Sequence, residues 1–239
     1  MSKPRIPRRL VFTYKTNLLE TKIPPLLYDN VMESISRYKN KIPNGFKVDF
    51  LDDADCRAAV QRTEPALVPY FDAEKHGMYK ADICRVATLY EHGGYYMDID
   101  LQVADPPTFD APVNFATVRE PAEGYHVPGF FQAFLATTPG HPVLRTALYT
   151  MLEYYNGTRT LQGDMGTSTL KDAYDIVRPR PDSVALMQES RLVPSKHNVP
   201  RQEGEGCCCN YVVHDEHDHV HFYSRIVGSN LCTLRRDSG

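Results

Sequence analysis

The hydrophobic positions fall into short blocks whose spacing changes along the chain. Arg9-Leu10-Val11-Phe12-Thr13-Tyr14 predicts a strand, and polar Lys15-Thr16-Asn17 follow it. From about Leu26 to Tyr38, the residues Leu27, Val31, Ile35 and Tyr38 recur at helical spacing and give one apolar face. Pro43-Asn44-Gly45 marks a turn, and Phe46-Lys47-Val48-Asp49-Phe50 alternates like a half-buried strand. Asp52-Asp53-Ala54-Asp55 supplies caps for a helix running through Val60. Strand, helix, strand, helix is the opening rhythm of an α/β domain with a largely parallel sheet.

Residues 79–103 sharpen the pattern. Ile83, Val86, Ala87 and Tyr90 form a helical stripe, and Gly93-Gly94 can adopt the left-handed conformation that ends a helix. A strand from Tyr95 to Asp100 then places Tyr96, Asp98 and Asp100 on one face. A helix over Lys80–His92 is about 20 Å long, and the strand covers about 20 Å as well. If the chain reverses at the glycines, Asp82 and Arg85 return to the neighbourhood of Asp98 and Asp100. Three carboxylates and a guanidinium then meet at the C-terminal rim of a sheet, where open α/β sheets bind ligands.

The second half is looser. Pro106-Pro107, Pro112, Pro121 and Pro128 divide residues 104–130 into short strands and loops. His141 to Tyr155 reads as a helix through Val143, Leu144, Ala147, Leu148, Met151 and Leu152. A Pro-rich stretch occupies 179–200, and Gln202-Glu203-Gly204-Glu205-Gly206 reads as a loop. Asn210–His214 and His219–Ser224 are expected to pair as a hairpin across Asp215-Glu216-His217-Asp218. No repeat or linker interrupts the 239 residues, so one domain over 1–239 is expected.

Composition narrows the class. Hydrophobic residues at 42% and charged residues at 24% exclude disordered, collagen-like and coiled-coil chains. With 27 Lys+Arg against 30 Asp+Glu, the net charge of -3 lacks the positive field of a nucleic-acid binder. No stretch approaches the roughly 18 apolar residues of a membrane span. Only Leu10-Val11-Phe12 follow the basic start, too few for a signal peptide core. The six cysteines include consecutive Cys207-Cys208-Cys209 and no CxxC, which argues against a disulfide framework or a zinc ribbon. A cytoplasmic, reduced chain is the expectation.

Two carboxylates with one residue between them can hold a hard divalent cation and leave positions open for water and phosphate oxygens. A neighbouring arginine can hold a phosphate or sugar oxygen through its fork of donors. Asp-x-Asp occurs twice, at Asp53-Ala54-Asp55 and Asp98-Ile99-Asp100, so spacing alone does not choose. The first pair reads as helix-capping. The second is either an exposed strand end or a metal site, and the convergence of Asp82 and Arg85 favours metal.

Lys80-Ala81-Asp82-Ile83-Cys84-Arg85, Leu89-Tyr90, Gly93-Gly94-Tyr95-Tyr96 and Asp98-Ile99-Asp100 closely resemble the signature of the DXD-motif sugar transferases. That family includes initiating α-mannosyltransferases and capsular polysaccharide transferases. Ile6-Pro7 with Phe12–Thr16, Phe50–Asp55, Ala136–Pro142 and Gly163–Thr167 are similar to further family segments in the same order. Phe12 and Tyr14 stand where the family often has His and Trp. The resemblance spans roughly residues 6–170.

It implies a GT-A, Rossmann-like nucleotide-sugar-binding fold, with a central, mainly parallel sheet flanked by helices. It implies a glycosyltransferase that uses Mn²⁺ or Mg²⁺ and retains anomeric configuration. UDP-sugars are the favoured donors, GDP-mannose the alternative, and the acceptor is a glycan or glycoprotein. By position, Asp98 and Asp100 address metal and diphosphate, while Asp82 and Arg85 hold the donor sugar. Thr13 and Tyr14 lie by the base, and Tyr96 lines the donor site. Asp164 is the candidate on the acceptor side, read equally well as a loop acid or helix cap. His217, His219 and His221 alternate and would share a strand face, commonly a surface one. The family's late histidine near the metal singles out His221 as a further ligand. Cys207–Cys209 read as a loop. Two other classes keep the same motif: a non-catalytic nucleotide-sugar or glycan-binding module, and a nucleotide-sugar hydrolase.

Overall fold

Leu10, Val11 and Phe12 are all fully buried because β1 (Arg9–Thr13) lies inside a sheet with helices on both sides. Val11 faces one apolar layer, while Leu10 and Phe12 face the other, as the two-residue period of a strand requires. The computed structural model describes residues 5–42, 46–121, 129–193, 196 and 211–224.

After β1 come α1 (Leu18–Thr21), α2 (Pro25–Lys41), β2 (Lys47–Leu51), α3 (Asp53–Thr63), α4 (Val68–Ala73) and α5 (Gly77–His92). Next are β3 (Gly94–Met97), β4 (Gln102–Val103), β5 (Phe115–Arg119), β6 (Phe130–Thr137), α6 (Pro142–Tyr155) and α7 (Met165–Val177). β7 (Val184–Arg191), β8 (Tyr211–His214) and β9 (Val220–Ser224) follow. The strands form one nine-stranded sheet in the order β2-β1-β3-β6-β5-β7-β8-β9-β4.

The sheet is mixed, not mainly parallel. Helical crossovers leave β1 parallel to both β2 and β3, and β5 parallel to β7. The remaining pairs, β3–β6, β5–β6, β7–β8, β8–β9 and β4–β9, are antiparallel. Tight connections such as the one between β8 and β9 permit only that orientation. β6, β7 and α7 were not expected from the sequence.

Residues of α3, α5, α6 and α7 build the larger apolar layer, including Val60, Ile83, Leu148 and Leu170. α2 contributes Val31, Ile35 and Tyr38 to the other layer, with Met97, Phe134 and Phe222 from the sheet. Asp52 caps α3, accepting from the backbone of Ala54 and Asp55, and Asp55 returns a bond to Asp52 N–H. Asp55 of the first Asp-x-Asp is therefore a capping residue.

Two expectations are corrected. Cys56 of α3 and Cys84 of α5 form a disulfide, with Cα atoms 5.0 Å apart. The helices bring together two thiols 28 residues apart in sequence, so the described chain is not thiol-only. The predicted strand through Asp100 ends instead at Met97, and Asp98–Leu101 form a turn closed by Leu101 N–H to Asp98 C=O at 3.2 Å. Cys207–Cys209 lie outside the described residues, as do residues 122–128 and 197–206. Among the described residues, no helix is long and apolar enough to cross a membrane.

Candidate active site

The passage from α5 to β3 sets the geometry. Gly93 has φ +63° and Gly94 φ +117°, conformations that L side chains rarely adopt. A Cβ on Gly93 would stand 2.7 Å from Pro139 and from the Thr137 carbonyl, and one on Gly94 2.7 Å from the Arg9 carbonyl. Both glycines thus allow the reversal and the close approach of neighbouring backbone. The turn returns β3 along α5 and brings the far end of the strand to Arg85.

Arg85 is 3% exposed and all its contacts are specific. Nη2 lies 3.1 Å from Asp98 Oδ1 and 3.5 Å from Asp82 Oδ1. Nε donates to the Ala81 carbonyl and Nη1 to the Gln132 carbonyl. The guanidinium stacks 4.4 Å from the centre of the Tyr96 ring. Burial pushes the guanidinium's pKa down, but Asp98, then Tyr96, Asp82 and Asp100, more than offset this and hold it protonated.

Tyr96 is fully buried, and its hydroxyl donates to Asp98 Oδ1 at 2.6 Å. The Thr13 hydroxyl must then donate to Tyr96, at 3.0 Å. Burial foremost raises the Tyr96 hydroxyl well above the ordinary tyrosine range, so it stays a donor. The turn carrying the two acids is fixed from below. Asn30 of α2 donates to the carbonyls of Ile99 and Leu101 at 2.8 and 3.0 Å.

Asp82 is buried, and burial is the main force raising its carboxyl to about 7; Arg85 opposes this, while Asp98 and Asp164 reinforce it. Gly166, in the first turn of α7, leaves the space that Asp82 fills: a Cβ there would overlap the carboxylate. Gln132 donates to the Gly166 carbonyl at 2.6 Å, tying β6 to the same turn. Asp164 is exposed at the N-cap of α7 but makes no side-chain cap bond. Its Oδ1 lies 3.5 Å from the Tyr79 hydroxyl.

A cleft of about 630 Å³ opens over this network, lined by Thr13, Tyr14, Lys15, Arg85, Tyr96, Asp98 and Asp100 among others. Lys75, Lys80 and Asp53 also face it. Lys80 pairs with Asp53 at 2.9 Å, which gives the first Asp-x-Asp a second task beside capping. Cys56 of the disulfide is on the wall. Asp82, Arg85, Tyr96, Asp98, Asp100, Thr13 and Tyr14 are thus gathered, with Asp164 beside Tyr79. His221 is not among the cleft's lining residues: its Nδ1 lies 2.9 Å from the Asp105 carbonyl and its Nε2 3.6 Å from Asp215. Sequence reading quoted Lys15 and Lys80 within its motifs without giving them a role, and passed over Asn30, Lys75 and Gln132, none of which sits in a spacing pattern of its own.

The donor set suits a hard cation. Asp98 keeps Oδ2 beyond its bonds to Tyr96 and Arg85. Asp100 reaches solvent but is crowded by protein; that crowding, with the charge of Asp98, raises its carboxyl to about 6. Among the described residues, no third His, Cys, Asp or Glu brings a ligand atom close enough to share one ion with these two acids. A cation here would complete its shell with water and phosphate oxygens, as Mg²⁺ and Mn²⁺ do.

Comparison with known proteins bears on this α/β fold and its acidic cleft. Residues 28–115 match the family described as "Glycosyltransferase sugar-binding region containing DXD motif". Residues 28–115 thus carry the DXD-motif region of sugar transferases, and two relatives are named as glycosyl- or mannosyltransferases. It is 23% identical over 194 residues to an Acanthamoeba polyphaga mimivirus protein described as an uncharacterized glycosyltransferase, covering 78% of this chain and 76% of that one. Inositol phosphoceramide mannosyltransferase 1 of Schizosaccharomyces pombe is 25% identical over 130 residues, which are 54% of this chain and 39% of that one. Among solved structures, the PaToxG glycosyltransferase aligns with a TM-score of 0.50 at 16% identity, covering 74% of this chain and 71% of that one. At that identity the likeness is one of fold.

Proposed function

We propose that the protein moves a hexose from a nucleoside-diphosphate sugar to a hydroxyl of a glycan acceptor, with retention at the anomeric carbon. The carrying observation is the pairing of buried Arg85 with half-buried Asp98, held by Tyr96 and Thr13 at the edge of a cleft. Tyr14, on the cleft wall, would stack on the base, and Lys15 and Lys75 would meet diphosphate charge. Asp98 and Asp100 would hold Mn²⁺ or Mg²⁺. That cation, when bound, neutralises charge developing on the diphosphate. Arg85 and Asp82 orient the sugar. The bond from the anomeric carbon to the diphosphate breaks as the acceptor oxygen bonds to that carbon from the same face. The acceptor proton leaves on the departing phosphate oxygen. Asp164, beside Tyr79, stands on the acceptor side.

UDP-sugars are the first donors to test and GDP-mannose the second, the latter also suggested by the mannosyltransferase relative. The test follows donor consumption and product formation with and without acceptor glycans, in wild type and Asp98→Asn. Acceptor-stimulated transfer that Asp98→Asn abolishes supports the reading. Donor cleavage at full rate without acceptor stimulation makes the protein a hydrolase. Donor binding with neither reaction makes it a binding module.

A further inference from the structure

The β8–β9 hairpin carries a second group of metal-type side chains away from the cleft. Asp105, just beyond β4, meets His219 and His221 so that one ligand atom from each lies within 4.8 Å of the others. His219 Nε2 is 2.7 Å from Asp105 Oδ2. The two imidazoles stand edge to face with ring centres 5.0 Å apart.

His221 has the orientation of a metal ligand. Its Nδ1 lies 2.9 Å from the Asp105 carbonyl, which only accepts, so Nδ1 carries the proton. In the neutral ring Nε2 is then unprotonated and lies 3.6 Å from Asp215 Oδ2. A backbone carbonyl holding one ring nitrogen while the other faces a metal is the usual support of a ligating histidine. Asp215 is similarly set: Oδ1 accepts the backbone N–H groups of His217 and His219, leaving Oδ2 toward His221. Two acceptors facing each other favour a cation between them. Asp105 already draws one, since Lys41 Nζ lies 2.6 Å from each of its oxygens.

We propose that Asp105, His219 and His221, with Asp215 beside them, form a zinc site distinct from the Asp98–Asp100 centre. Imidazole nitrogens select zinc over the hard cations that suit a pair of carboxylates. Tetrahedral zinc holds nitrogen and oxygen ligands at about 2.0–2.2 Å, so His219 must part slightly from Asp105 and His221 draw in. The ion would tie the segment leaving the Asp98–Leu101 turn to the β8–β9 hairpin. It is a structural staple, outside the transfer chemistry.

The experiment uses the full chain, dialysed against Zn²⁺ with excess Mg²⁺, with bound zinc measured by elemental analysis and thermal unfolding followed in parallel. His219 is exposed, so His219→Ala tests the site without opening the core. The expected result is one zinc per chain and a rise in Tm, retained by Asp98→Asn and by a Cys207→Ser, Cys208→Ser, Cys209→Ser variant. His219→Ala should weaken zinc binding more than about tenfold and remove the Tm rise. The proposal is overturned if wild type keeps no zinc, if His219→Ala binds it equally well, or if the cysteine variant loses it. The cluster is then an ion-pair network around Lys41 alone.

Discussion

The Tyr96 hydroxyl donates to Asp98 at 2.6 Å while accepting from Thr13 at 3.0 Å. One buried phenol therefore links the end of β1 to the first acid of the Asp98-Ile99-Asp100 turn. Tyr96 lines the floor of the cleft, but its polar atom is spent on Asp98. It acts by positioning that carboxylate, with Arg85 stacked on its ring.

Tyr96→Phe tests this relationship. A hydrogen bond to a charged group contributes about 1.5–3 kcal/mol, so kcat/KM should fall by about 10- to 100-fold with a far-UV circular dichroism spectrum unchanged. An added Mn²⁺ titration should show weaker activation by metal. Unchanged kcat/KM and Mn²⁺ response would remove Tyr96 from the positioning role.

Gly166→Ala should be disproportionately harmful for one methyl group. The new Cβ overlaps the Asp82 carboxylate, and overpacking costs typically about 1–3 kcal/mol. Asp82 must move from Arg85, so activity should fall by more than stability explains. Measuring kcat beside the denaturation midpoint separates the two effects.

Glu189 predicts a pH signature in stability. It is 1% exposed. Burial foremost raises its carboxyl to about 7; Glu120 adds to this, and the hydrogen bond from Ser224 opposes it. Among the described residues its Oε2 has no hydrogen-bond partner. The folded state thus holds a proton that the unfolded chain releases near its ordinary carboxyl value. The associated stability is complete below that ordinary value and is lost as pH rises toward 7. Glu189→Gln, which keeps a neutral polar group there, should gain about 1–3 kcal/mol on wild type at pH 8 and little at pH 4. Urea denaturation at the two pH values checks this, and an equal effect at both would contradict it.

The Cys56–Cys84 bond closes a sequence separation of 28 residues between α3 and α5. Loops of this size gain about 2–4 kcal/mol from closure. Treating the protein with a reductant, or replacing both residues by Ala, should lower its denaturation midpoint accordingly. Because Cys56 is on the cleft wall, nucleotide affinity should weaken too. A reductant without effect on the midpoint would show that the bond does not form in solution.

The convergence of Asp82, Arg85 and Asp98 was legible because it depends on lengths alone: a helix and a strand of similar reach, joined at two glycines. The exact shape of the acidic turn was not. Asn30 takes the carbonyls of Ile99 and Leu101 from about seventy residues away, and no local pattern announces a tertiary bond. β6 reads Phe-Phe-Gln-Ala-Phe-Leu-Ala-Thr and is buried almost throughout, so it lacks the alternation that reveals a half-exposed strand. In α7, Met165 is followed by Gly166-Thr167-Ser168-Thr169, weak helix formers. The disulfide was hidden because its cysteines meet only once α3 packs on α5. Of the alternating histidines, His217 lies in the turn, His219 just before β9 and His221 on it, and the Asp105 that meets the last two lies more than a hundred residues earlier.

Nucleotide binding with and without Mn²⁺ tests the central claim most directly, measured by thermal unfolding of wild type and Asp98→Asn. A ligand at about 100 times its Kd stabilises the native state by about 2.7 kcal/mol. The account predicts a Mn²⁺-dependent rise in Tm with UDP or GDP that Asp98→Asn loses. A rise that survives Asp98→Asn unchanged, or none with either nucleotide in folded protein, would contradict it.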